Sequence, residues 1–417
     1  MPTPSLLIVP ARFKTGKLYS QIPTSGAGDF IVTRNTEARR FDSAGLVASV
    51  ASGIPRLDYY TSGGVTGCPA LLVEPAATNL HTQSEAFASN YTTVLNLTAS
   101  GTNLTAPDNS ATADRFFETT ANDSHLMAIA PGGGFALTSG TVYTFSTFVQ
   151  SVGGRNFRLI LTAGGSLDIL YTLSGSGTVS NTSVATIQNF GNGWYRCTYT
   201  FTATSSNNFR QNVYSVSGTT NSFAGDVTKG FIVWGAQVET GSAATSYIPT
   251  TAGTGSRSAD LITVTGAVSG SIGQQSGTVY CEFQFNPTAT NNAGVFSVES
   301  TNNQNRILLA NASPTTCNVQ LLANNSAIFT TSIGTLTVGQ YYKIAVGYSS
   351  GNTKVYLNGN STPVITNTSG YTMAAALSRI CLGNYENAAV QATNSRIRSL
   401  VLYAERLTDA EMIALTT

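Results

Sequence analysis

Charge is scarce in this sequence. The 417 residues carry 21 basic and 20 acidic side chains, 10% of the chain, and the formal net charge is +1. An average soluble domain is about 25% charged. Near-neutrality removes the electrostatic basis for a nucleic-acid partner or for adsorption on an anionic membrane. Long apolar runs are missing as well. No stretch approaches the ~20 apolar residues of a membrane span, so no membrane insertion is expected. The start, Met1-Pro2-Thr3-Pro4-Ser5 and then Leu6 to Pro10, has neither the basic nor the apolar region of a secretory signal.

Histidine and cysteine are equally sparse. The two histidines, His81 and His125, lie outside any nucleophile motif, which leaves a histidine-based triad without support. The five cysteines (Cys68, Cys197, Cys281, Cys317, Cys381) are odd in number, widely spaced and without a CxxC pair. That pattern excludes a disulfide framework and the usual zinc spacings. Cys197 and Cys281 fall in alternating strand patterns, where cysteine acts as a small buried apolar residue. Gly132-Gly133-Gly134 lacks the Lys-Ser/Thr of a phosphate loop and reads as a turn.

What is present is apolar material and uncharged polarity. Hydrophobic residues make up 41% and glycine contributes 40 positions. The chain can therefore bury cores and is not disordered. Solubility must come from hydroxyls and amides.

Three textures divide the chain. Residues 1–85 gather charge and proline around short apolar runs such as Leu6 to Val9 and Ala70 to Val73. Such a segment buries little alone and is expected to be an arm or adaptor docking onto something larger. Residues 86–256 hold strand patterns at roughly 8–12-residue spacing: Val142 to Val149, Phe157 to Leu161, Tyr195 to Phe201 and Phe231 to Trp234. In the third of these, Tyr195, Cys197, Tyr199 and Phe201 alternate with Arg196, Thr198 and Thr200. Residues 251–256 form a small-residue linker, and strands restart in 257–417. There Lys354 to Leu357 ends on Asn358-Gly359, a strong turn signal. Thr408-Asp409-Ala410-Glu411 is a capping box that predicts one short terminal helix. The expected fold is all-β: an N-terminal arm followed by two β-sandwiches. No repeat of 20–50 residues occurs, which counts against a solenoid.

Three stretches carry family resemblances. Ser5 to Pro10, Lys17-Leu18-Tyr19-Ser20, Val32-Thr33-Arg34, Ile54 to Tyr59 and Leu71 to Pro75 with Thr78-Asn79-Leu80 resemble the N-terminal region of tailed-phage fibre and appendage proteins, including head fibres of crAss-like phages of Bacteroidetes. Gly193-Trp194-Tyr195-Arg196, Trp234 to Glu239 and Ser246 to Thr250 resemble the closing part of a jelly roll similar to carbohydrate-binding modules, and Arg257-Ser258-Ala259-Asp260 looks like the junction after it. Lys354 to Gly359, Arg379 to Gly383 and Ile397 through Leu415 resemble the concanavalin-like (laminin-G-like) sandwich.

These resemblances imply a phage virion appendage, a head or tail fibre exposed on the virion and assembled in the bacterial host cytoplasm. The N-terminal arm would bind capsid or tail proteins, with Arg12, Lys14 and Lys17 as docking cations. The sandwiches would bind host-surface glycans, and a homotrimer is implied. The expectation is a binding protein, not an enzyme. A ligand-free decoration protein and a polysaccharide-degrading spike stay open as alternatives. Tyr356 alternates with Val355 and Leu357, and Tyr385 follows Gly383-Asn384, so both are candidate sugar platforms. Asp108, Asp114 and Glu239 are candidate ligands for a structural calcium, which similar jelly rolls hold. Turn capping is the simpler role for such carboxylates.

Overall fold

Alternating apolar and β-branched residues pair into long antiparallel ladders, and nearly the whole chain is strand and turn. The protein is described by a computed structural model covering all residues except 60, 63, 64, 91, 92, 102, 130–134, 164, 165, 287–292, 314, 387 and 389–391. The Gly132-Gly133-Gly134 turn thus lies outside the described residues. Among the described residues, helix is confined to one turn at Phe87–Asn90, a 3-10 segment at Ala267–Ser271 and the terminal helix Asp409–Thr416. None is long and apolar enough to cross a membrane.

The middle sandwich has two seven-stranded sheets. One runs Thr93–Leu95, Asn122–Ile129, Arg210–Val216, Asn156–Ala163, Leu167–Thr172, Thr178–Val179, with Ser222–Ala224 also on Asn122–Ile129. The other runs Leu97–Ala99, Ala111–Glu118, Gly230–Thr240, Val142–Val152, Trp194–Thr202, Ala185–Gly191, with Leu104–Thr105 on Ala111–Glu118. Tyr195, Cys197, Tyr199 and Phe201 face the core between them, as their period of two requires. Arg196, Thr198 and Thr200 are therefore on the outer face.

The second sandwich corrects the division at residue 85. Its eight-stranded sheet is built on Ser395–Tyr403, which pairs Ser276–Gln284 along one side. Its other side is shared end to end by N-terminal strands: Leu6–Ile8 lies against Leu400 to Leu402, and Leu71 to Val73 against Ser395 to Ile397. In the nine-stranded sheet Phe30–Thr33 pairs Leu261–Thr265. Leu6, Ile8, Leu18, Phe30, Val32, Leu71 and Val73 are all members of this sandwich's main core. Residues 1–85 are thus not an arm separate from the sandwich. Their apolar runs are too short to make a core, and they are completed by the open edges of sheets formed 200–400 residues later. The approach is close: a Cβ on Gly383, whose φ is +74°, would lie 2.0 Å from Val73 Cγ1.

The consequence is a discontinuous domain. The middle sandwich is inserted between the strands Ala70–Val73 and Leu261–Thr265. The chain enters it through Ala77–Asn79 and leaves through Gly255–Arg257, and these two strands pair with each other. Part of the expected 251–256 linker is therefore a paired strand. The hairpin Ala38–Phe41/Val47–Val50 reaches the other way, and Phe41 and Val47 pack with Phe148, Phe190, Trp194 and Trp234 on the outer face of the middle sandwich.

Candidate functional site

Charged residues that interrupt apolar strand patterns converge where the two sandwiches meet. Arg56 is fully buried; its Nη1 donates to Glu74 Oε2 (2.5 Å) and Ser246 Oγ (2.9 Å), and its Nη2 pairs with Asp260. Arg34 donates to Asp260 Oδ1 (2.9 Å) and Arg257 pairs with Glu74. The Ser246 amide and hydroxyl also donate to Glu74, both at 2.7 Å. Burial alone would raise the Glu74 carboxyl, but Arg257 and Arg56 hold it well below the usual carboxylate range. Arg396 Nε binds Asp58 Oδ2 at 2.6 Å beside this group. One network therefore ties the N-terminal strands, the end of the middle sandwich and the second sandwich together.

Above the network opens a cleft of about 680 Å³, within the range of small-ligand sites. One wall is the outer face of Ala185–Gly191 and Trp194–Thr202 with the segment from Ser242 to Ser246; the other is the second sandwich at Gln284, Asn286, Val338 and Asn394; the floor includes Phe41, Asp58 and Glu74. Hydroxyl pairs line it: Thr144 with Thr200 at 2.9 Å and Thr186 with Thr198 at 2.5 Å. Phe41 and Phe190 stack at 4.5 Å between centroids. Arg196 also lines the cleft, with Nη2 donating to Thr245 O (2.7 Å) and Ser146 Oγ (3.0 Å). Both carboxylates of the floor, Asp58 and Glu74, are paired to arginine.

The structure does not bring the other expected site residues to this cleft. Tyr356, expected on an exposed face, is 1% exposed. The terminal helix covers the outer face of its sheet, and Tyr356 packs with Tyr280, Tyr403, Leu407 and Met412. Both faces of the strand Thr353–Leu357 are consequently buried. Tyr385 is in a loop, as expected, but half-buried, with the Arg306 guanidinium 4.7 Å over its ring. One ring face is therefore occupied. Arg12 and Lys14 are exposed on a hairpin at the edge of the nine-stranded sheet. Arg12 and Lys17 flank the Tyr19 ring, and Lys17 pairs with Asp29 at 3.3 Å.

The expected calcium ligands are dispersed. Asp108 caps a turn by accepting from Ser110 N (2.9 Å). Asp114 accepts from Ala88 N (2.8 Å), and burial raises its carboxyl pKa. Glu239 is buried; its Oε2 accepts from Thr245 N (2.9 Å) and Gln237 Nε2 (2.6 Å), and its Oε1 from Thr245 Oγ1 (2.5 Å). Among the described residues no group of three or more His, Cys, Asp or Glu side chains could hold a metal ion. Each carboxylate is taken up instead by a backbone amide: Ser110 N for Asp108, Ala88 N for Asp114 and Thr245 N for Glu239.

Of the residues that do converge (Arg34, Arg56, Asp58, Glu74, Arg196, Arg257, Asp260, Arg396), all but Arg396 fall in the motifs that carry the family resemblances, but none is among the expected site residues. The available signal was an ionisable residue inside an apolar strand pattern in a chain that has few charges to place.

Comparison with known proteins bears on the second sandwich. Residues 258–412 match the family model of the Concanavalin A-like lectin/glucanases superfamily. No characterised protein matches the chain as a relative. Among solved structures, the chain is similar to a heptameric SAP-like pentraxin from Limulus polyphemus (20% identity, 34% of this chain and 70% of that one, TM-score 0.29). It is also similar to the CBM40 of a Ruminococcus gnavus IT-sialidase in complex with α2,3-sialyllactose (16%, 34% and 83%, 0.29). A third is domain 4 of AbnA, an arabinanase of Geobacillus stearothermophilus, in complex with arabinotriose (15%, 38% and 73%, 0.30). The family match covers the strands from Leu261–Thr265 onward and most of the terminal helix, so the second sandwich is a concanavalin-like domain, completed by strands from the chain's own N-terminus.

Proposed function

We propose that the chain is a non-enzymatic glycan-binding appendage of a bacteriophage virion, a head or tail fibre, and that the cleft between its sandwiches is the saccharide site. The observation that carries the binding part is the cleft itself: hydroxyl and amide groups, an aromatic pair and a rim of apolar side chains on two rigid sheets. The lectin-type family match of residues 258–412 supports it. Hydrolysis of a glycosidic bond needs a protonated carboxylic acid beside a second carboxylate. Glu74 is held ionised by two arginines and Asp58 is paired to Arg396, so neither suits the acid role.

The virion part rests on the resemblance of residues 5–85 to phage fibre N-termini. The docking surface would be the hairpin carrying Arg12, Lys14 and Lys17, beside the exposed side chains of Val9, Phe13 and Ile31. A homotrimer displayed in many copies would convert weak cleft binding into avidity. Probing the purified protein on a glycan array at high valency tests the cleft, with Ala244→Trp as the blocking variant. Binding abolished by Ala244→Trp is the expected result; an empty array favours a decoration protein. Release of reducing ends from host capsule would establish an enzyme instead. Replacing Arg12, Lys14 and Lys17 by Glu should stop loading onto particles, and normal loading would remove that surface from the proposal.

A further inference from the structure

Arg196 differs from the four arginines that hold the junction network. Arg34, Arg56, Arg257 and Arg396 each meet a carboxylate within ion-pair distance. Arg196 meets none among the described residues. It is 9% exposed and lines the cleft. Its Nη2 is used by Thr245 O and Ser146 Oγ, and its guanidinium lies 5.4 Å from the Phe148 ring centre. Its Nε is buried without an acceptor, and its Nη1 makes no hydrogen bond within the described residues. A buried cation with no carboxylate in contact is costly, and the cost is relieved when an anion arrives.

The neighbouring carboxylates do not fill this role. Asp58 is committed to Arg396, and Glu74 to Arg56 and Arg257. Glu239 acts on Arg196 only through space: its oxygens are taken by Thr245 and Gln237, and neither comes within ion-pair distance of the guanidinium. Five arginines of this group therefore face four carboxylates; two of the five, Arg196 and Arg396, line the cleft, and of these Arg396 is paired to Asp58 and Arg196 meets no carboxylate among the described residues.

We propose that the cleft selects saccharides bearing a carboxylate, such as uronic-acid units, and that Arg196 is the group that pairs with it. This rests on the cleft being the saccharide site. Thr186, Thr198, Gln188 and Asn394, all lining the same cleft, supply donors and acceptors for sugar hydroxyls around the acid. An acidic sugar would enter with its carboxylate toward the wall formed by Trp194–Thr202, where the guanidinium is already held by Thr245 and Ser146.

The test is a titration of the full chain with two oligosaccharides that differ in one unit, glucuronate in one and glucose in the other. A charged hydrogen-bonded pair predicts that the acidic member binds at least about tenfold more tightly. Arg196→Gln should erase that preference, so that the two members bind with equal affinity whatever its absolute value, and Arg196→Lys should keep part of it. Reducing the ligand's carboxyl to the alcohol removes the same pair with the protein intact, so the outcome does not depend on how a variant folds. Equal binding of both members, abolished by Ala244→Trp, would overturn the acid preference and leave the cleft as the saccharide site. A preference that survives Arg196→Gln would also overturn it. Binding of neither member, or binding that Ala244→Trp leaves unchanged, would sink the cleft reading and this inference together.

Discussion

At the residue scale, burial decides what a side chain does more than its type does. His81 is fully buried, and desolvation lowers its pKa to about 4. Its ring is neutral in the folded protein at any pH where an unfolded histidine is half charged. The unfolded chain thus binds more protons below pH 6.5, so stability is complete above that value and falls as the pH drops toward 4. Between pH 6.5 and 5 the loss should be about 2 kcal/mol. Thermal melting at pH 7, 6 and 5 checks it: the intact protein should lose stability across the series, and His81→Gln should flatten the slope. Tyr356 teaches the same lesson. Alternation correctly placed it opposite Val355 and Leu357, but a helix from the chain's end covers that face. Period two tells which residues share a face; it is silent on whether a second layer buries the other one.

Elements whose causes are local were legible. The capping box at Thr408 forms in both directions: Glu411 N donates to Thr408 Oγ1 at 3.3 Å and Thr408 N to Glu411 Oε2 at 2.9 Å. Asn358 and Gly359 both take positive φ, 49° and 69°, as the turn after Thr353–Leu357 demands. Trp234 is buried in the strand read for it, with its Nε1 donating to Thr112 Oγ1 at 2.8 Å. The terminal helix is held by the same local chemistry plus one anchor, Met412, which is fully buried against Tyr280 and Tyr356. Thr408→Ala should cost about 1 kcal/mol, and Met412→Ala about 2–5 kcal/mol. Urea unfolding at neutral pH would order them so. Equal costs would mean that the cap, not the packing, fixes the helix. What was not legible is long-range partnership. Nothing near Glu74 in sequence announces Arg257 or Ser246, more than 170 positions away. The cleft residues were unread for that reason: they become a site only when three distant strands meet.

At the scale of the whole molecule, two claims can be separated by experiment. The first concerns the buried network. Removing the Glu74 charge by Glu74→Gln leaves Arg56 and Arg257 without their shared partner, and breaking a buried pair in this way costs about 3–5 kcal/mol. The carboxylate pKa is depressed in the fold, so its contribution is present above about pH 4.3 and is lost as pH falls further. Glu74→Gln should accordingly lower the melting temperature most at neutral pH, and the loss should shrink steadily, without vanishing, as the pH is lowered from about 4.3 to 3, because the folded carboxylate is still ionised there; a loss of constant size from pH 7 to pH 3 would show that packing rather than charge is responsible.

The second claim is that the second sandwich is one unit made from both ends of the chain. A fragment of residues 257–417 would match the boundaries that sequence texture suggests. It would lack seven side chains of its own core, and the edges of Ser395–Tyr403 and Leu261–Thr265 would be bare. Exposed apolar edges of this kind template aggregation. Joining the two true parts makes the opposite prediction. Asn79 and Gly255 are paired partners in adjacent antiparallel strands, so their Cα atoms lie about 5 Å apart. A short glycine-containing turn can replace everything between them without moving either strand. The excised protein loses the Ser246 donors to Glu74 and should melt lower than the full chain, yet as a single cooperative transition of a monodisperse species. The 257–417 fragment should be insoluble or lack a transition. Calorimetry and sedimentation of the two proteins decide the matter, and a fragment that folds as well as the excised protein would mean that the N-terminal strands decorate the sandwich instead of completing it.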